Sequence, residues 1–551
     1  MATVAERSDF YRADGWWREG LVIDDLSHHA ASRPNEIASV TYSTDGGWVD
    51  RLSYAEMAEA VDSIATGLLE LGVAVGEPVC FQLPNWWYFN AVHLACDRIG
   101  AISCPLHPIL RRREVEHIVR QVRARVYIGP SVFRGFDFAA LGSTVLGSVE
   151  TLEHAFEVKG ARGSGGSFER HFLGRPAASV PHDLFAARRP SADDVTTIQF
   201  TSGTTGEPKG VMHTHRSLNA ATRLVPFALG LSSSDVIMMP SPLSHATGFV
   251  YGCLMPTTYA MKVVYQDIWD AWRMLELLDA EGGTWTAGST PFVMDTIKAC
   301  RELGRDAAPL RLFACSGAPI PRYLAKETQK VTGAKMVTIW GLTETSGATI
   351  TPVGRLDRAE DSDGQVSPAM EVRIVDDEGN DLPLGSSGRL LVRGASQFVG
   401  YFERPELTSA AVDAEGWLDT GDLASLDDEG FVALTGRVKD IVIRGGENIP
   451  VVEVEGALYQ HDLVQDVAIV GLTDPRMGER ACAVVVPTSG STPTLAELVS
   501  YLDTLGFAKQ FWPERLELVD ALPRTPSGKV QKFQLKLQFD GVGEAAPTST
   551  N

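Results

Sequence analysis

Cysteine is scarce in this sequence and follows no functional spacing. The chain has seven cysteines in 551 residues, and they stand singly at positions 80, 96, 104, 253, 300, 315 and 482. Because the count is odd and no CxxC or Cys/His pattern occurs, the sequence argues against a disulfide framework and against a zinc site. We therefore expect a cytoplasmic protein in a reducing compartment.

Basic charge is also in deficit. The 49 Lys and Arg residues are outnumbered by 70 Asp and Glu residues, and the formal net charge is -21. This balance argues against a protein that coats nucleic acid or an anionic membrane. It leaves room for a local basic pocket that binds a phosphorylated small molecule.

Long apolar runs are missing as well. The N-terminus, MATVAERSDFYRADGWW, lacks the apolar segment of a signal peptide. The most apolar long window, residues 236–265, contains Pro240, Pro242 and Pro256, so we expect no stable insertion into a membrane. The C-terminal residues, from about position 540, are typical of a disordered tail.

The length and the strand patterns that are present indicate an α/β protein of more than one domain. A chain of 551 residues is too long for one ordinary core. Runs such as VTTIQF, LRLFACSG and KMVTIWG alternate with helical patterns, which predicts α/β sheets with ligand-binding loops at the strand ends. Hairpin-like strands after residue 370 predict a β-rich subdomain, and a helix–strand–strand–helix order after residue 446 predicts a small α+β domain. We place the two domains at residues 1–436 and 437–551.

The run TSGTTGEPKG, residues 201–210, follows the predicted strand VTTIQF directly. Its spacing does not satisfy the Walker A pattern, G-x4-G-K-[ST]. It nevertheless combines glycines that expose backbone N–H groups, hydroxyl donors and the cation of Lys209, which together favour a polyphosphate. We expect a helix N-terminus to follow the loop and to add to the anion site. The alternative is a passive Ser/Thr/Gly turn.

This run resembles the signature loop of the adenylate-forming superfamily, which includes acyl- and aryl-CoA synthetases, nonribosomal peptide adenylation domains and luciferases. Further stretches resemble motifs of that superfamily in the expected order: PLSHATGF (242–249), SGAPIP (316–321), WGLTET (340–345), GWLDTGDL (416–423), GRVKDIVIRGGENI (436–449) and PRTPSGKVQK (523–532). The resemblance implies a large N-terminal adenylate-forming domain and a small mobile C-terminal domain. It also implies ATP, Mg²⁺ and coenzyme A as reaction components.

In such enzymes a carboxylate attacks the α-phosphate of ATP, and the site must neutralise charge and align the two anions. The resemblance implies that the β and γ phosphates, which leave as pyrophosphate, are held by Thr201, Ser202, Gly203, Thr204, Thr205 and Lys209. Glu344 resembles the magnesium-binding carboxylate, and Thr343 resembles the hydroxyl at the α-phosphate. By itself Glu344 also fits a helix N-terminal acid that the dipole stabilises.

The adenine is implied to lie against Trp340, which stands where many relatives have Tyr. Gly341 and the small residues Gly317, Ala318 and Pro319 complete the implied purine site. The alternative for the SGAPIP stretch is a plain Pro/Gly turn.

Three charged residues near the C-terminus have implied roles. Asp422 resembles the acid that accepts the two ribose hydroxyls, and Arg437 a nearby ribose or phosphate contact. Lys529 resembles the catalytic lysine that bridges the carboxylate and the α-phosphate during adenylation. On composition alone, Asp422 reads as a turn residue and Lys529 as a solvated one.

Three residues that follow Arg437 are implied to serve the second half-reaction. Lys439 matches the hinge about which the small domain rotates, although by itself it also fits a charged strand residue. Gly445 and Gly446 match the loop that lines the tunnel for the pantetheine arm of coenzyme A, where glycine permits close backbone approach.

The acyl pocket is implied at His245, Phe249, Ser316 and Thr345. His245 resembles a residue that flanks the substrate carboxylate, and its alternative is a hydrogen-bonded structural histidine. Apart from Glu344, the predicted pocket segments carry no formal charge, which disfavours amino acids and dicarboxylates and predicts an apolar acid. Stretches such as GEPVCFQLPNWWYF resemble bacterial medium-chain and cyclohexanecarboxylate CoA ligases.

Three alternatives stay open at this point. We expect free coenzyme A as the acyl acceptor, since no carrier domain follows Lys529, but a separate carrier protein is the second candidate. A catalytically silent nucleotide-binding protein of the same fold is the third, and the presence of Glu344, Asp422 and Lys529 counts against it. The sequence leaves a homodimer possible.

Overall fold

The strands and helices predicted from the alternating patterns are present in the computed structural model, which describes residues 4–173, 182–201, 208–444, 447–525 and 528–540. Within these residues no helix combines the length and the apolar character needed to cross a membrane. The predicted C-terminal tail lies outside the described residues from position 541 onward.

The strands run in chain order as follows: β1 (Ile37–Ser43), β2 (Trp48–Ser53), β3 (Pro78–Phe81), β4 (Ile102–Pro105), β5 (Val126–Pro130), β6 (Val132–Phe133), β7 (Phe136–Asp137), β8 (His154–Val158), β9 (Val195–Thr201), β10 (Lys209–Thr214), β11 (Val236–Met239), β12 (Lys262–Gln266), β13 (Trp285–Gly288), β14 (Leu312–Ser316), β15 (Lys335–Trp340), β16 (Thr349–Ile350), β17 (Gln365–Val366), β18 (Met370–Val375), β19 (Gly388–Gly394), β20 (Gly400–Tyr401), β21 (Leu418–Leu426), β22 (Val432–Arg437), β23 (Val442–Arg444), β24 (Glu447–Ile449), β25 (Val464–Asp474), β26 (Gly478–Pro487) and β27 (Arg515–Leu518).

The α-helices are α1 (Val4–Ala13), α2 (Val22–Ser32), α3 (Tyr54–Glu70), α4 (Trp87–Ile99), α5 (Arg112–Gln121), α6 (Phe138–Ser148), α7 (His182–Ala187), α8 (His215–Leu229), α9 (Ala246–Gly248), α10 (Met255–Tyr259), α11 (Ala271–Glu281), α12 (Thr290–Leu303), α13 (Leu324–Thr332), α14 (Pro405–Ala411), α15 (Val451–Leu458), α16 (Leu495–Thr504) and α17 (Lys532–Phe539). Short π segments lie at Glu169–Leu173 and Phe249–Leu254, and 3-10 segments lie at Val353–Glu360, Val438–Asp440 and Lys509–Phe511.

The chain divides into two compact units. The first comprises Met1–Gly317, Ala325–Val372 and Val392–Leu418, and the second comprises Ala318–Leu324, Arg373–Leu391 and Asp419–Asn551, as far as these ranges are described. The α/β class expected from the sequence is confirmed. The domain division at residues 436 and 437 stays a prediction, because packing within the chain does not report which segment moves.

Two sheets build the first unit around one continuous apolar core. One has nine strands in the order β17-β16-β15-β14-β13-β11-β12-β1-β2, and the other has seven in the order β20-β10-β9-β4-β3-β5-β8. In the nine-stranded sheet β11, β13, β14 and β15 are successive parallel neighbours. The carboxyl ends of parallel strands meet at one sheet edge, where open α/β sheets bind ligands. The motif segments after β11, β14 and β15 therefore start from the same edge.

The second unit holds a hairpin of two long strands, β25 and β26, covered by helices on both faces. Alternate residues of the hairpin pack on opposite sides: Val467 and Ile469 join a cluster with α15 and α16, whereas Ala468 and Val470 join a cluster with α17. Burial on both faces explains why the central parts of these strands, residues 467–472 and 481–486, are continuously apolar in the sequence. This unit also holds the larger part of a four-stranded sheet in the order β18-β19-β21-β22.

Candidate active site

The phosphate-loop motif joins two antiparallel strands. Thr201 ends β9 and Lys209 begins β10, and these two residues are directly opposite each other in the ladder. Ser202, Gly203, Thr204 and Thr205 lie outside the described residues.

The expectation that a helix follows the loop is wrong. Residues 209–214 form β10, because Val211 and His213 alternate as buried residues of a strand that pairs with β9 on one side and β20 on the other. The helix begins one strand later, at His215, after the N-cap Thr214. The described segment after the loop therefore contributes Lys209 and a strand, and no helix N-terminus directly after the loop adds to an anion site there.

Tyr401 connects Lys209 to Glu344. The Lys209 ammonium lies 5.1 Å from the centre of the Tyr401 ring, and the Tyr401 hydroxyl donates a hydrogen bond of 2.7 Å to Oε1 of Glu344. Burial and the charge of Glu344 raise the pKa of Tyr401 well above its ordinary value, so the phenol stays protonated. The phosphate-loop cation and the predicted magnesium ligand are thus brought together by a residue that the sequence analysis did not identify.

The turn that carries Thr343 and Glu344 is closed tightly on itself. A Cβ at Gly341 would lie 1.7 Å from the carbonyl oxygen of Ser346, so only glycine fits this position. Ser346 itself adopts a left-handed conformation, with φ of 58°. Trp340, the predicted adenine contact, is the buried last residue of β15.

Three consecutive carbonyl groups of this turn are anchored from outside it. The Thr343 carbonyl accepts from Nε2 of His213 at 2.7 Å, and that of Glu344 accepts from the backbone N–H of Phe398 at 2.7 Å. The Thr345 carbonyl accepts from the Ser396 hydroxyl at 2.8 Å. These contacts fix the backbone from which the Thr343 and Glu344 side chains project.

His213 is neutral in this arrangement. It is fully buried, and burial lowers its pKa to about 4 even though the bond to the Thr343 carbonyl favours the charged form. A neutral ring with its proton on Nε2 serves as the donor, and Nδ1 lies 3.1 Å from the Ser217 hydroxyl. The sequence analysis missed His213, although the buried alternation of KGVMHT was the signal that it faces inward.

The Glu344 carboxylate has the chemistry of a shared magnesium ligand. Within the described residues, Oε1 is bound by Tyr401 and Oε2 has no hydrogen-bond or ion-pair partner. The described part of the chain contains no group of three or more His, Cys, Asp or Glu side chains able to hold a metal ion. A single acid with one open oxygen suits Mg²⁺, which is usually held by one or two carboxylates together with substrate phosphates.

Asp422 and Arg437 lie opposite each other in the second unit. They are partners in the antiparallel pair β21–β22, and Nε of Arg437 donates to Oδ1 of Asp422 at 2.5 Å. The Asp422 side chain is almost completely buried, whereas that of Arg437 is partly exposed. The structure thus brings these two predicted ribose-site residues together.

Lys529 lies in the second unit, and its backbone pairs with that of Thr525. The N–H of Thr525 donates to the Lys529 carbonyl at 2.7 Å, and the Lys529 N–H donates to the Thr525 hydroxyl at 3.1 Å. Arg524 and Val530 form an antiparallel β-bridge, and Arg524 is anchored by an ion pair of 2.6 Å to Asp466. The backbone of Lys529 is therefore fixed by hydrogen bonds to Thr525.

The predicted hinge and tunnel residues differ in what can be described. Lys439 is exposed, in the 3-10 segment Val438–Asp440. Gly445 and Gly446 lie outside the described residues. Their roles stay predictions.

The predicted acyl-pocket residues lie at or beyond the ends of β11, β14 and β15, which are parallel strands of the nine-stranded sheet. His245 caps α9, its Nδ1 accepting the N–H of Thr247 at 3.5 Å, and the hydroxyls of Thr247 and Ser316 are 3.4 Å apart. Phe249 is completely buried, with its ring edge-on to His93 at 4.8 Å. Thr345 is also buried, and its hydroxyl accepts the N–H of Leu342.

The predicted purine segment starts where β14 ends. Gly317 adopts φ of +80°, a conformation that favours glycine, and a Cβ there would meet no atom within 4 Å. Its requirement for glycine is therefore conformational and not steric. Gly317 and Ala318 form a bend, and Pro319 follows it; the contact of Ala318 and Pro319 with adenine stays a prediction.

His107 is a second histidine near the predicted pocket that the sequence analysis missed. Burial, with a smaller contribution from the charge of His245, lowers its pKa to about 3. Its Nδ1 accepts the N–H of Ile109 at 3.1 Å, and its buried Nε2 has no hydrogen-bond partner among the described residues.

The chain belongs to the AMP-binding enzyme family. The sequence model of that family matches residues 26–402 of the chain, and the model of the AMP-binding enzyme C-terminal domain matches residues 453–529. Within this family, the chain is an enzyme of the AMP-forming acyl-CoA ligase group.

Relatives of known activity align along almost the whole chain. A medium-chain fatty-acid–CoA ligase of Escherichia coli (strain K12) is 35% identical over 533 residues, which are 96% of this chain and 92% of that protein. A 2-hydroxy-7-methoxy-5-methyl-1-naphthoate–CoA ligase of Streptomyces carzinostaticus is 31% identical, over 97% of this chain and 96% of its own length. The crystal structure of ATP-bound MatB from Rhodopseudomonas palustris matches with a TM-score of 0.83 and 27% identity, covering 95% of this chain and 100% of that one.

Proposed function

We propose that the protein joins an apolar carboxylic acid to coenzyme A in two steps. A carboxylate oxygen of the acid attacks the α-phosphorus of ATP, the bond from that phosphorus to the bridging oxygen breaks, and pyrophosphate leaves. The thiol of coenzyme A then loses its proton and attacks the acyl carbon of the adenylate, releasing AMP. The observation that carries the proposal is the meeting of Lys209 and Glu344 at Tyr401 in a chain of this family.

The residues of the first unit suit the departing pyrophosphate. Lys209 supplies positive charge beside the loop, and Thr201 adds a hydroxyl at the end of β9. Glu344 and the incoming phosphates would hold Mg²⁺, which when bound neutralises charge on the phosphate oxygens. Thr343 presents its hydroxyl from a turn whose backbone is fixed by three hydrogen bonds, and this rigidity favours a defined alignment of the reactants.

The residues of the second unit suit the nucleoside and the reacting carboxylate. Asp422 would accept the ribose hydroxyls, with Arg437 holding its other oxygen in place. Lys529 would donate to the oxygens that carry charge in the adenylation transition state. In the same scheme, rotation at Lys439 replaces Lys529 by the loop of Gly445 and Gly446 for thioester formation.

We infer an apolar acid as the substrate. The described residues at the predicted pocket, His245, Phe249, Ser316 and Thr345, carry no carboxylate and no Lys or Arg side chain. The relatives named above act on a medium-chain fatty acid and on a substituted naphthoate, so aliphatic, alicyclic and aromatic acids all belong in the first substrate panel. Loading of a separate carrier protein is the alternative for the second step.

Acid-dependent exchange of labelled pyrophosphate into ATP tests the first step. The panel should contain medium-chain fatty acids, cyclohexanecarboxylate and benzoates, with a dicarboxylate and an amino acid as counter-substrates and Glu344→Gln as the inactive control. We expect exchange with the apolar acids alone. Absence of exchange with every acid would favour a silent nucleotide-binding protein, and exchange without formation of a CoA thioester would favour a carrier protein.

A further inference from the structure

Tyr401 occupies a rigid place beside the phosphate-loop strand. It lies on β20, opposite Val211 of β10, and its side chain is buried. Its N–H donates to the Thr408 hydroxyl at 2.9 Å, and its carbonyl accepts the N–H of Arg404 at 3.1 Å. Its backbone is thus held on both sides, so the direction of its side chain is set by the sheet and not by a mobile loop.

The two polar contacts of this side chain reach groups of opposite charge. The hydroxyl donates to Oε1 of Glu344 at 2.7 Å, a charge-assisted hydrogen bond, and the ring centre lies 5.1 Å from the Lys209 ammonium. A carboxylate has two oxygens, and the bond from Tyr401 occupies one of them. Rotation of the Glu344 carboxylate would break this bond, so the hydroxyl also determines where Oε2 lies.

We infer that Tyr401 is a positioning residue of the nucleotide site, which orients the Glu344 carboxylate through its hydroxyl and supports the Lys209 ammonium through its ring. This inference rests on the proposed function, which assigns Glu344 to Mg²⁺ and Lys209 to the leaving phosphates. The two parts of the Tyr401 side chain have different roles. The hydroxyl orients the predicted metal ligand Glu344, and the ring supports the Lys209 ammonium. Neither role requires Tyr401 to touch the reactants.

Two substitutions separate these two parts. Tyr401→Phe deletes the hydroxyl and keeps the ring, whereas Tyr401→Leu deletes both. Tyr42→Phe is the matched control, because Tyr42 also donates to a glutamate, Oε1 of Glu281 at 2.5 Å, in the same unit but at no predicted site residue. Thermal unfolding of all variants shows whether each one is folded.

Binding of Mn²⁺ in the presence of α,β-methylene-ATP, followed by the electron paramagnetic resonance signal of free Mn²⁺, is the direct readout. We expect Tyr401→Phe to weaken Mn²⁺ binding by about tenfold, the size expected for one charge-assisted hydrogen bond, while binding of the nucleotide without metal stays at the wild-type level. Tyr401→Leu should weaken both. Tyr42→Phe should weaken neither.

A double-variant comparison shows whether Tyr401 acts through Glu344. In the Glu344→Gln background, Tyr401→Phe should cause little further loss of Mn²⁺ binding, because the oriented carboxylate is already absent. Wild-type Mn²⁺ affinity in a folded Tyr401→Phe protein, or fully additive losses, would overturn the inference. If the wild-type protein itself bound no nucleotide, the proposed function would fail first, so the two failures are distinguishable.

Discussion

The buried histidine beneath the Thr343–Glu344 turn yields a pH-dependent prediction. His213→Gln keeps a terminal N–H that can reach the Thr343 carbonyl, but glutamine has no proton equilibrium in the accessible pH range. In the folded protein the pKa of His213 is about 4, against an ordinary value of 6.5. As the pH falls, His213 therefore becomes protonated in the unfolded chain at a pH at which it is still neutral in the folded protein.

The size of the effect follows from these two pKa values. Because the pKa of His213 is lower in the folded state, the contribution of neutral His213 to the free energy of unfolding is fully present above the unfolded pKa of 6.5. This contribution is lost as the pH falls toward 4. When the pH falls from about 8 to about 5.5, these two pKa values predict that the free energy of unfolding falls by about 1.4 kcal/mol, the energy that corresponds to about one pKa unit. The free energy of unfolding of the wild type should fall by that much more than that of His213→Gln.

Urea unfolding followed by tryptophan fluorescence at both pH values measures this difference. His28→Gln is the control, because it removes a histidine whose side chain is exposed, and it should reproduce the wild-type dependence on pH. An equal loss of stability in the wild type and in His213→Gln would refute a neutral, buried His213.

Three further substitutions test individual contacts of the site. Gly341→Ala should destabilise the protein by about 1–3 kcal/mol or more, since its Cβ would meet the Ser346 carbonyl; Gly354→Ala, where a Cβ meets nothing within 4 Å, should keep the wild-type melting temperature. Asp422→Asn should raise the KM for ATP by about tenfold or more and should remove the preference of the enzyme for ATP over 2′-deoxy-ATP. If the variant keeps that preference, Asp422 does not bind the ribose. Lys529→Ala should abolish pyrophosphate exchange and spare thioester formation from supplied acyl-adenylate, and equal loss of both would contradict its assigned role.

Local patterns predicted most of the strands and helices near the site. VTTIQF, LRLFACSG and KMVTIWG form β9, β14 and β15, because short β-branched or apolar runs that end at glycine or polar residues suit buried parallel strands. The prediction of a helix in place of β10 is wrong for a local reason. The sequence analysis predicts a helix directly after the loop, whereas the strand alternation extends to Thr214 before α8 begins at His215.

The missed site residues depend on contacts between distant parts of the chain. Tyr401 and Glu344 are 57 positions apart, and His213 and Thr343 are 130 apart. In each pair a residue on a strand of the seven-stranded sheet, β20 or β10, contacts the turn that follows β15 of the nine-stranded sheet. The sequence of either segment alone does not encode this contact. The motif residues Asp422 and Arg437 were easier to pair, because a hairpin joins their strands β21 and β22.

An isotope experiment tests the central claim, that the carboxylate of an apolar acid attacks the α-phosphate of ATP before the acyl group reaches coenzyme A. The protein is incubated with ATP, Mg²⁺, coenzyme A and an active acid that carries ¹⁸O in both carboxyl oxygens, and the products are analysed by mass spectrometry. The account predicts the acyl-CoA thioester, unlabelled pyrophosphate, and AMP that has gained a single ¹⁸O atom from the carboxylate. Unlabelled AMP, or ADP and labelled phosphate in its place, would contradict it.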